Sequence, residues 1–94
     1  MIRSFRDKET AALCNGKNVR KFSSFVIQAE RRLEILDAAT SLKDLSGLPG
    51  NPLEALKGDR KGQYSIRIND RRRICFEWHE GNAENVEIVD YHRG

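Results

Sequence analysis

Cysteine, proline and long apolar runs are all scarce in this 94-residue sequence. No stretch approaches the roughly 18 apolar residues of a membrane span, and the opening residues MIRSFRDKET lack the apolar segment of a signal peptide. We therefore expect a cytoplasmic protein that does not associate with membranes. Cys14 and Cys75 are far apart and lack CxxC or metal-ligand spacing, so we expect two reduced, packed thiols without a disulfide framework or a zinc site.

Repeats, low-complexity tracts and linker-like segments are also absent from the sequence. A chain of this length can close one modest hydrophobic core but not two, so residues 1–94 are predicted to form a single domain. Asp, Glu and His residues show no cluster at metal-ligand spacing. We accordingly expect no metal ion and no cofactor.

Positive charge is concentrated in one segment. Residues 57–73 carry seven cations against two aspartates, a local net charge of +5, whereas the whole chain carries +3. A local basic patch on a near-neutral body favours binding of a polyanion. Charge alone equally allows a solvated hairpin whose arginines keep a sheet edge soluble. The seven cations are Lys57, Arg60, Lys61, Arg67, Arg71, Arg72 and Arg73.

The first half of the sequence has helical character. The segment DKETAALC predicts a short helix that ends at the sequence NG. A second helix is predicted to begin after Ser23 or Ser24, either of which can cap it, because apolar residues then recur at spacings of three and four. That apolar stripe comprises Val26, Ala29, Leu33 and Leu36. The segment SLKDL predicts one more helical turn with a capping box, and MIRSF is a candidate edge strand.

The second half alternates with a period of two, which is typical of strands. Three such segments are joined by the turns NDR and EGNA and predict an antiparallel meander. Because helices precede strands, we expect an α+β fold with two N-terminal helices packed on one face of a mainly antiparallel sheet. The alternating apolar residues are Tyr64, Ile66 and Ile68, then Ile74, Phe76 and Trp78, then Val86 and Ile88.

The apolar pattern also predicts the strand register. A loop over residues 69–71 pairs Ile66 with Ile74 and keeps apolar residues on one face. The same register places Arg67 opposite Arg73, a repulsive pair that is tolerated more readily when an anion lies between its members. The face away from the helices is then predicted to gather Arg67, Arg73 and Tyr91, with Lys57 arriving from the preceding loop.

The start MIRSFRDKET, the segment LDAATSLKDL, the run LEALKGDRKGQYSIRINDRRRICFEW and the ending VEIVDYHRG together resemble HigB toxins of the RelE superfamily. The resemblance implies a compact RelE-like fold and a ribosome-dependent endoribonuclease that cuts mRNA in the A site of the 70S ribosome. It also implies a HigA-like helix-turn-helix antitoxin as partner, with operator DNA bound only through the toxin–antitoxin complex.

Metal-independent RNA cleavage by the 2′-hydroxyl needs proton removal, stabilisation of phosphorane charge and a proton for the 5′-oxygen. Arg73 suits charge stabilisation because its planar guanidinium can hold two phosphate oxygens. Lys57 can add a second cation or take part in proton transfer. His92, from the motif DYH, titrates near neutrality and suits the acid. Tyr91 can stack on a base or bond the phosphate, and Asp90 can orient His92 or accept a proton.

The other cations are expected to bind RNA or the ribosome: Arg67, Arg60, Lys61, Arg71 and Arg72. Arg72 stands where HigB relatives often carry an aromatic residue. Strict alternation would turn Asp90 and His92 towards the core face unless the last strand bends. The alternative function is a non-catalytic basic module, such as an inactive toxin homologue, that binds ribosomal or other RNA.

Overall fold

The computed structural model describes residues 1–47 and 53–90. Its helical part consists of α1 (Lys8–Cys14), a 3₁₀ helix (Arg20–Phe25), α2 (Val26–Ala38) and α3 (Leu42–Ser46). A short strand β1 (Glu54–Ala55) and a second 3₁₀ helix (Gly58–Arg60) precede β2 (Gln63–Arg67), β3 (Arg72–His79) and β4 (Asn82–Asp90). The four strands form an antiparallel sheet in the order β1-β2-β3-β4. The predicted α+β class is thus confirmed.

One apolar core lies between the helices and one face of the sheet. The α2 stripe supplies Ala29, Leu33 and Leu36, which are buried against sheet residues that include Ile66 and Ile74. Each buried Leu or Ile side chain stabilises the fold by roughly 1.5 to 3 kcal/mol when it leaves water. In the part of the chain that the structure describes, no helix is both long and apolar enough to cross a membrane.

The starts of α1 and α3 agree with the sequence prediction, whereas the start of α2 differs from it. The Asp7 carboxylate accepts from the Thr10 amide at 3.0 Å and caps α1, and Ser41 and Asp44 form the predicted capping box of α3. The predicted serine cap of α2 is wrong, because Ser23 lies inside a 3₁₀ helix that runs directly into α2.

Two phenylalanines account for that 3₁₀ helix. Phe22 and Phe25 are both buried, with ring centroids 5.7 Å apart. A 3₁₀ helix has three residues per turn, so residues spaced by three project from the same side. The apolar pair therefore decides the local backbone, and the serines between them remain exposed.

The N-terminal residues cover the outer edge of β4 without forming a regular strand. Ile2 and Phe5 make isolated parallel bridges to Ala83 and Val86. The Arg3 amide donates to the Ala83 carbonyl at 2.8 Å. The predicted edge strand is therefore replaced by two bridges, which still satisfy part of an otherwise open strand edge.

The predicted register between β2 and β3 is confirmed. Ile66 pairs with Ile74, and Arg67 pairs with Arg73. Between β3 and β4 the pairing shifts at Cys75 to Glu77, which marks a bulge that the sequence pattern does not show. Strand β1 was not predicted, because two residues are too few to display an alternation.

The two thiols lie in different environments. Cys75 is buried within β3, as expected, but Cys14 is exposed at the end of α1. The prediction of a packed thiol at Cys14 is wrong because its neighbour Leu13 occupies the inward position in that last turn.

Candidate active site

A cavity of about 500 Å³ lies on the sheet face opposite the helices. It is bounded by β1, by the turn around the second 3₁₀ helix and by the central part of the sheet. Three of the cations predicted from the sequence, Arg73, Lys57 and Arg60, contribute to its wall. Within residues 1–47 and 53–90, the lining residues are Glu54, Ala55, Leu56, Lys57, Arg60, Ser65, Arg73, Cys75 and Val89.

Among the described residues, two neighbours of different character contact the Arg73 guanidinium at the cavity. Its Nε donates to the Ser65 hydroxyl at 2.8 Å, and its Nη2 lies 3.4 Å from Oε1 of Glu54. The Arg73 side chain is 15% exposed, whereas that of Glu54 is 57% exposed. The guanidinium is therefore oriented from the buried side by a hydroxyl and faces an exposed carboxylate on the outer side.

Lys57 reaches the same cavity from the turn that follows β1. It precedes the 3₁₀ helix Gly58–Arg60 as its N-cap residue and is exposed. Gly58 has a φ of 64°, in the left-handed region that favours glycine. Gly58 therefore allows the tight turn that places the exposed Lys57 on the wall of the same cavity as the half-buried Arg73.

Arg60 is engaged by neighbouring side chains. Its Nη1 donates to Oε1 of Gln63 at 3.0 Å and to Oε1 of Glu87 at 2.9 Å. The hydrogen bond to Glu87 raises the pKa of Arg60 above its ordinary value. Arg6 also contacts Glu87, with its Nε 3.4 Å from Oε1. The carboxylate thus joins the N-terminal segment to the cavity wall, while Lys61, at the end of the 3₁₀ helix, is exposed.

Arg67 lies on the same face as Arg73, at the end of β2. Its Nε donates to the Asn69 carbonyl at 3.1 Å, and its Nη2 pairs with the Asp70 carboxylate. These contacts hold Arg67 at the β2–β3 turn, and Arg67 is not among the residues that line the cavity. The structure therefore puts the two arginines on one face without placing both at the cavity.

Arg72 and Asp90 lie on the helix side of the sheet, away from Arg73. The Arg72 guanidinium is 5.0 Å from the centroid of the Phe25 ring, a cation–π contact. Its Nη1 forms an ion pair with Oδ2 of Asp90 at 2.5 Å. Arg71 approaches the same oxygen at 3.5 Å. The alternation of side chains between the two faces thus continues to the end of β4. Asp90 therefore shares the face of Arg72, and the structure does not place it beside Arg73.

The remaining predicted residues, Tyr91 and His92, lie outside the described residues. Sequence reasoning missed four cavity or near-cavity residues: Glu54, Ser65, Cys75 and Glu87. A signal for two of them was present, because the predicted register places Ser65 and Cys75 opposite each other on the Arg73 face. Burial raises the pKa of the Cys75 thiol, an effect that the nearby Arg60 opposes. Within residues 1–47 and 53–90, no His, Cys, Asp and Glu side chains form a group suited to a metal ion.

The arrangement suits a phosphate-centred reaction. The Arg73 guanidinium, held by the Ser65 hydroxyl, presents positive charge at a defined position. The Lys57 ammonium group on the same cavity wall adds a second positive charge. Leu56 and Val89 add apolar surface to the wall of the cavity beside these charges.

Comparison with known proteins gives a consistent family. Residues 3–92 match the HigB-like toxin family, described as the RelE-like toxin of type II toxin–antitoxin system HigB. Toxin HigB-1 of Vibrio cholerae is 48% identical over 63 residues, 67% of this chain and 65% of that protein, just under two thirds of its length. Endoribonuclease HigB of Proteus vulgaris is 33% identical over 93 residues, 98% of this chain and 100% of that protein.

The fold has a counterpart among solved structures. A chain of the YoeB-YefM complex from Staphylococcus aureus matches with a TM-score of 0.60 and 18% identity, over 99% of this chain and 99% of that chain. At this level of identity the likeness concerns the fold alone.

Proposed function

The chain belongs to the HigB-like family of RelE-like toxins from type II toxin–antitoxin systems, and we propose that it is a ribosome-dependent endoribonuclease that cleaves mRNA in the A site. Cleavage of the message during translation would inhibit protein synthesis. The relative from Proteus vulgaris carries the name of an endoribonuclease, which supports this activity for the present chain.

The observation that carries the proposal is the position of Arg73 in the cavity, anchored by Ser65 with Lys57 on the same wall. In the proposed reaction the 2′-hydroxyl attacks the adjacent phosphorus, and the two cations stabilise the negative charge of the phosphorane. Apolar surface from Leu56 and Val89 gives the nucleotide a dry contact. No metal is required, since side-chain cations supply the charge.

The attacking 2′-hydroxyl passes its proton to solvent water, and the proton for the departing 5′-oxygen comes from a residue that follows β4. We assign the acid that protonates the departing 5′-oxygen to His92, with Tyr91 as a contact to the base or the phosphate. Asp90 is the least favoured catalytic assignment, because its carboxylate is paired with Arg71 and Arg72 on the other side of the sheet. The ribosome supplies much of the substrate orientation, so a small site suffices.

Four exposed or half-buried cations are assigned to RNA or ribosome binding: Lys61, Arg67, Arg71 and Arg60. The proposed partners are the 70S ribosome with its mRNA and a HigA-like helix-turn-helix antitoxin, with operator DNA engaged only through that antitoxin complex. The proposed site of action is the cytoplasm, where translating ribosomes are found.

The test is single-turnover cleavage of end-labelled mRNA on programmed 70S ribosomes, compared with the same mRNA alone. We expect cleavage only on the ribosome, with a 2′,3′-cyclic phosphate or its hydrolysis product on one fragment and a 5′-hydroxyl on the other. A 5′-phosphate would overturn attack by the 2′-hydroxyl. Ribosome binding without cleavage would favour the non-catalytic RNA-binding module instead.

Metal independence is tested in the same assay. The magnesium that keeps ribosomes intact is retained, and transition metals are removed by exchange through a chelating resin. We expect the cleavage rate to stay unchanged, and added Zn²⁺ or Mn²⁺ to give no increase. Restoration of a lost rate by one specific metal would contradict the proposed mechanism.

A further inference from the structure

We propose that Ser65 is a positioning residue that fixes the direction of the Arg73 guanidinium, and that this fixed direction is needed for cleavage. The proposal rests on the function proposed above, because it assigns a role within the same site. Neither the basic pattern of the sequence nor the motif DYH points to Ser65, which is the middle residue of a five-residue strand.

The burial of Ser65 sets it apart from the other polar residues of the cavity. Its side chain is 0% exposed, although it lies on the sheet face opposite the core. A buried hydroxyl is stable only when it has a hydrogen-bond partner, and here that partner is the Nε–H of Arg73 at 2.8 Å. The bond is charge-assisted, and hydrogen bonds of this kind are stronger than neutral ones.

The two polar contacts of Arg73 described above have different consequences. Glu54 is an exposed carboxylate on a two-residue edge strand, so a phosphate can compete with it for the guanidinium at little cost in burial. Ser65 lies in the middle of the sheet, paired with Cys75 on one side and Glu54 on the other, so it cannot move without the strand. Ser65 therefore fixes the Nε end of the Arg73 guanidinium, while the terminal Nη groups of Arg73 face the cavity.

The geometry determines which part of the guanidinium meets the substrate. Because Nε donates to Ser65, a phosphate in the cavity is contacted through the terminal Nη groups. A lysine at position 73 would keep the charge but has no Nε–H for the serine to accept. The effect of Ser65 should therefore depend on whether residue 73 is an arginine.

The experiment is a double-mutant cycle on single-turnover cleavage with programmed ribosomes. Ser65→Ala should lower the rate of the chemical step about 10-fold, the scale of one hydrogen bond to a charged group, and leave ribosome affinity within about twofold. In an Arg73→Lys background, the same serine substitution should change the residual rate by no more than about twofold. Equal effects in both backgrounds would overturn the positioning role.

Thr10→Val provides a matched control. Thr10 is also 0% exposed, and its hydroxyl accepts from the Ile88 amide at 3.1 Å on the core side of the sheet. This variant should lose stability, as Ser65→Ala does, but the rate per folded molecule should equal that of the parent. If Thr10→Val slows cleavage as much as Ser65→Ala does, the effect of Ser65 is a general loss of stability and the proposal fails.

A measurement on the free protein separates this inference from the proposed function. In nitrogen-15 arginine-labelled protein, the Nε–H signal of Arg73 should be rigid and slow to exchange, and should become mobile in Ser65→Ala. Unchanged rigidity in the variant would overturn the positioning role whether or not the protein cuts RNA. Rigidity that depends on Ser65, together with no cleavage by the parent on ribosomes, would instead refute the proposed function and leave only the structural contact between Ser65 and Arg73.

Discussion

Arg67 and Arg73 are directly opposite each other in neighbouring antiparallel strands, yet their guanidinium groups turn to different partners. Arg73 contacts the Ser65 hydroxyl within the sheet, whereas Arg67 contacts the Asn69 carbonyl at the turn. The divergence relieves the repulsion of two like charges that face each other across a sheet. An anion between them is therefore not needed to explain the pair, and only Arg73 lines the cavity.

Replacement of Arg73 should abolish activity without unfolding the protein. Arg73→Ala removes the charge assigned to the phosphorane, so growth inhibition and mRNA cleavage should both fall to background. The circular dichroism spectrum should stay that of the parent, because the side chain lies outside the apolar core, whereas the urea midpoint should fall slightly, because the buried Ser65 hydroxyl loses its partner. Arg3→Ala, at an exposed arginine of the N-terminal segment, is the control and should remain toxic. Undiminished toxicity of folded Arg73→Ala would refute the assignment.

Replacement of His92 should slow the chemical step and spare binding. If His92 protonates the 5′-oxygen, His92→Gln should slow single-turnover cleavage by roughly 100-fold or more, the usual contribution of a positioned acid. Lys61→Ala should do the reverse, weakening ribosome binding in a salt-dependent way while sparing cleavage. A His92 variant that cuts at the parental rate would move the acid elsewhere, with Tyr91 as the next candidate.

Arg72 should act on stability more than on RNA binding. Arg72→Ala removes the contact with the Phe25 ring and the ion pair with Asp90, and we expect a loss of about 1 kcal/mol in the free energy of unfolding. Arg71→Ala is the matched comparison, since the Arg71 side chain is more exposed than that of Arg72 and its guanidinium lies 3.5 Å from the Asp90 carboxylate. It should weaken RNA binding more and stability less. Equal stability of parent and Arg72→Ala in urea denaturation would contradict the packing role.

The two thiols should differ in their reaction with a maleimide. Cys14 is exposed, but partial burial and the nearby Asp37 raise its thiol pKa, so it should label slowly at neutral pH and faster as the pH rises. Cys75 is buried and should label only after unfolding. Mass spectrometry of the native and urea-unfolded protein distinguishes the sites. Labelling of Cys75 in the native protein would show that β3 is less protected than described.

The capping box of α3 should make stability depend on acid. The amide of Thr40 and further bonds from Thr40 and Ser41 lower the pKa of Asp44 in the folded chain. A carboxylate with a lowered folded pKa stabilises the fold above its unfolded pKa and loses that contribution as pH falls through its folded pKa. Urea titrations from neutral to acidic pH should show a shallower loss for Asp44→Asn than for the parent. Identical slopes would remove Asp44 from the acid response.

The sheet could be predicted from the sequence because a one-residue slip in register would expose every apolar side chain of β2 and β3. The same alternation carried enough information to place Arg72 and Asp90 on the helix side, but counting charges along the segment treated all seven cations as one patch. Which of these residues belong to the candidate site depends on side-chain contacts that the alternation does not encode. Ser65 is an ordinary strand residue in the sequence; the register places it on the Arg73 face, and the bond to Arg73 shows its role in the site.

Local propensity failed where distant packing decided the structure. Ser23 and Ser24 are good capping residues, yet the burial of Phe22 and Phe25 makes the backbone helical before the predicted start. Strand β1 exists because Glu54 and Ala55 pair with Ser65 and Tyr64, and no local pattern encodes such a pairing. Sequence reasoning was reliable where one periodicity was sustained over many residues, and unreliable where two residues meet across the fold.

The bridges between the first residues and β4 have a consequence for the order of folding. Ile2 and Phe5 pair with Ala83 and Val86, so this edge of the sheet cannot close until residues 83–86 have been synthesised. Contacts between residues so distant in sequence slow folding, and the edge of β3 that β4 later covers stays open in the meantime. A nascent chain therefore completes its sheet only after β4 has been synthesised, and the interval before closure is when aggregation competes most strongly with folding.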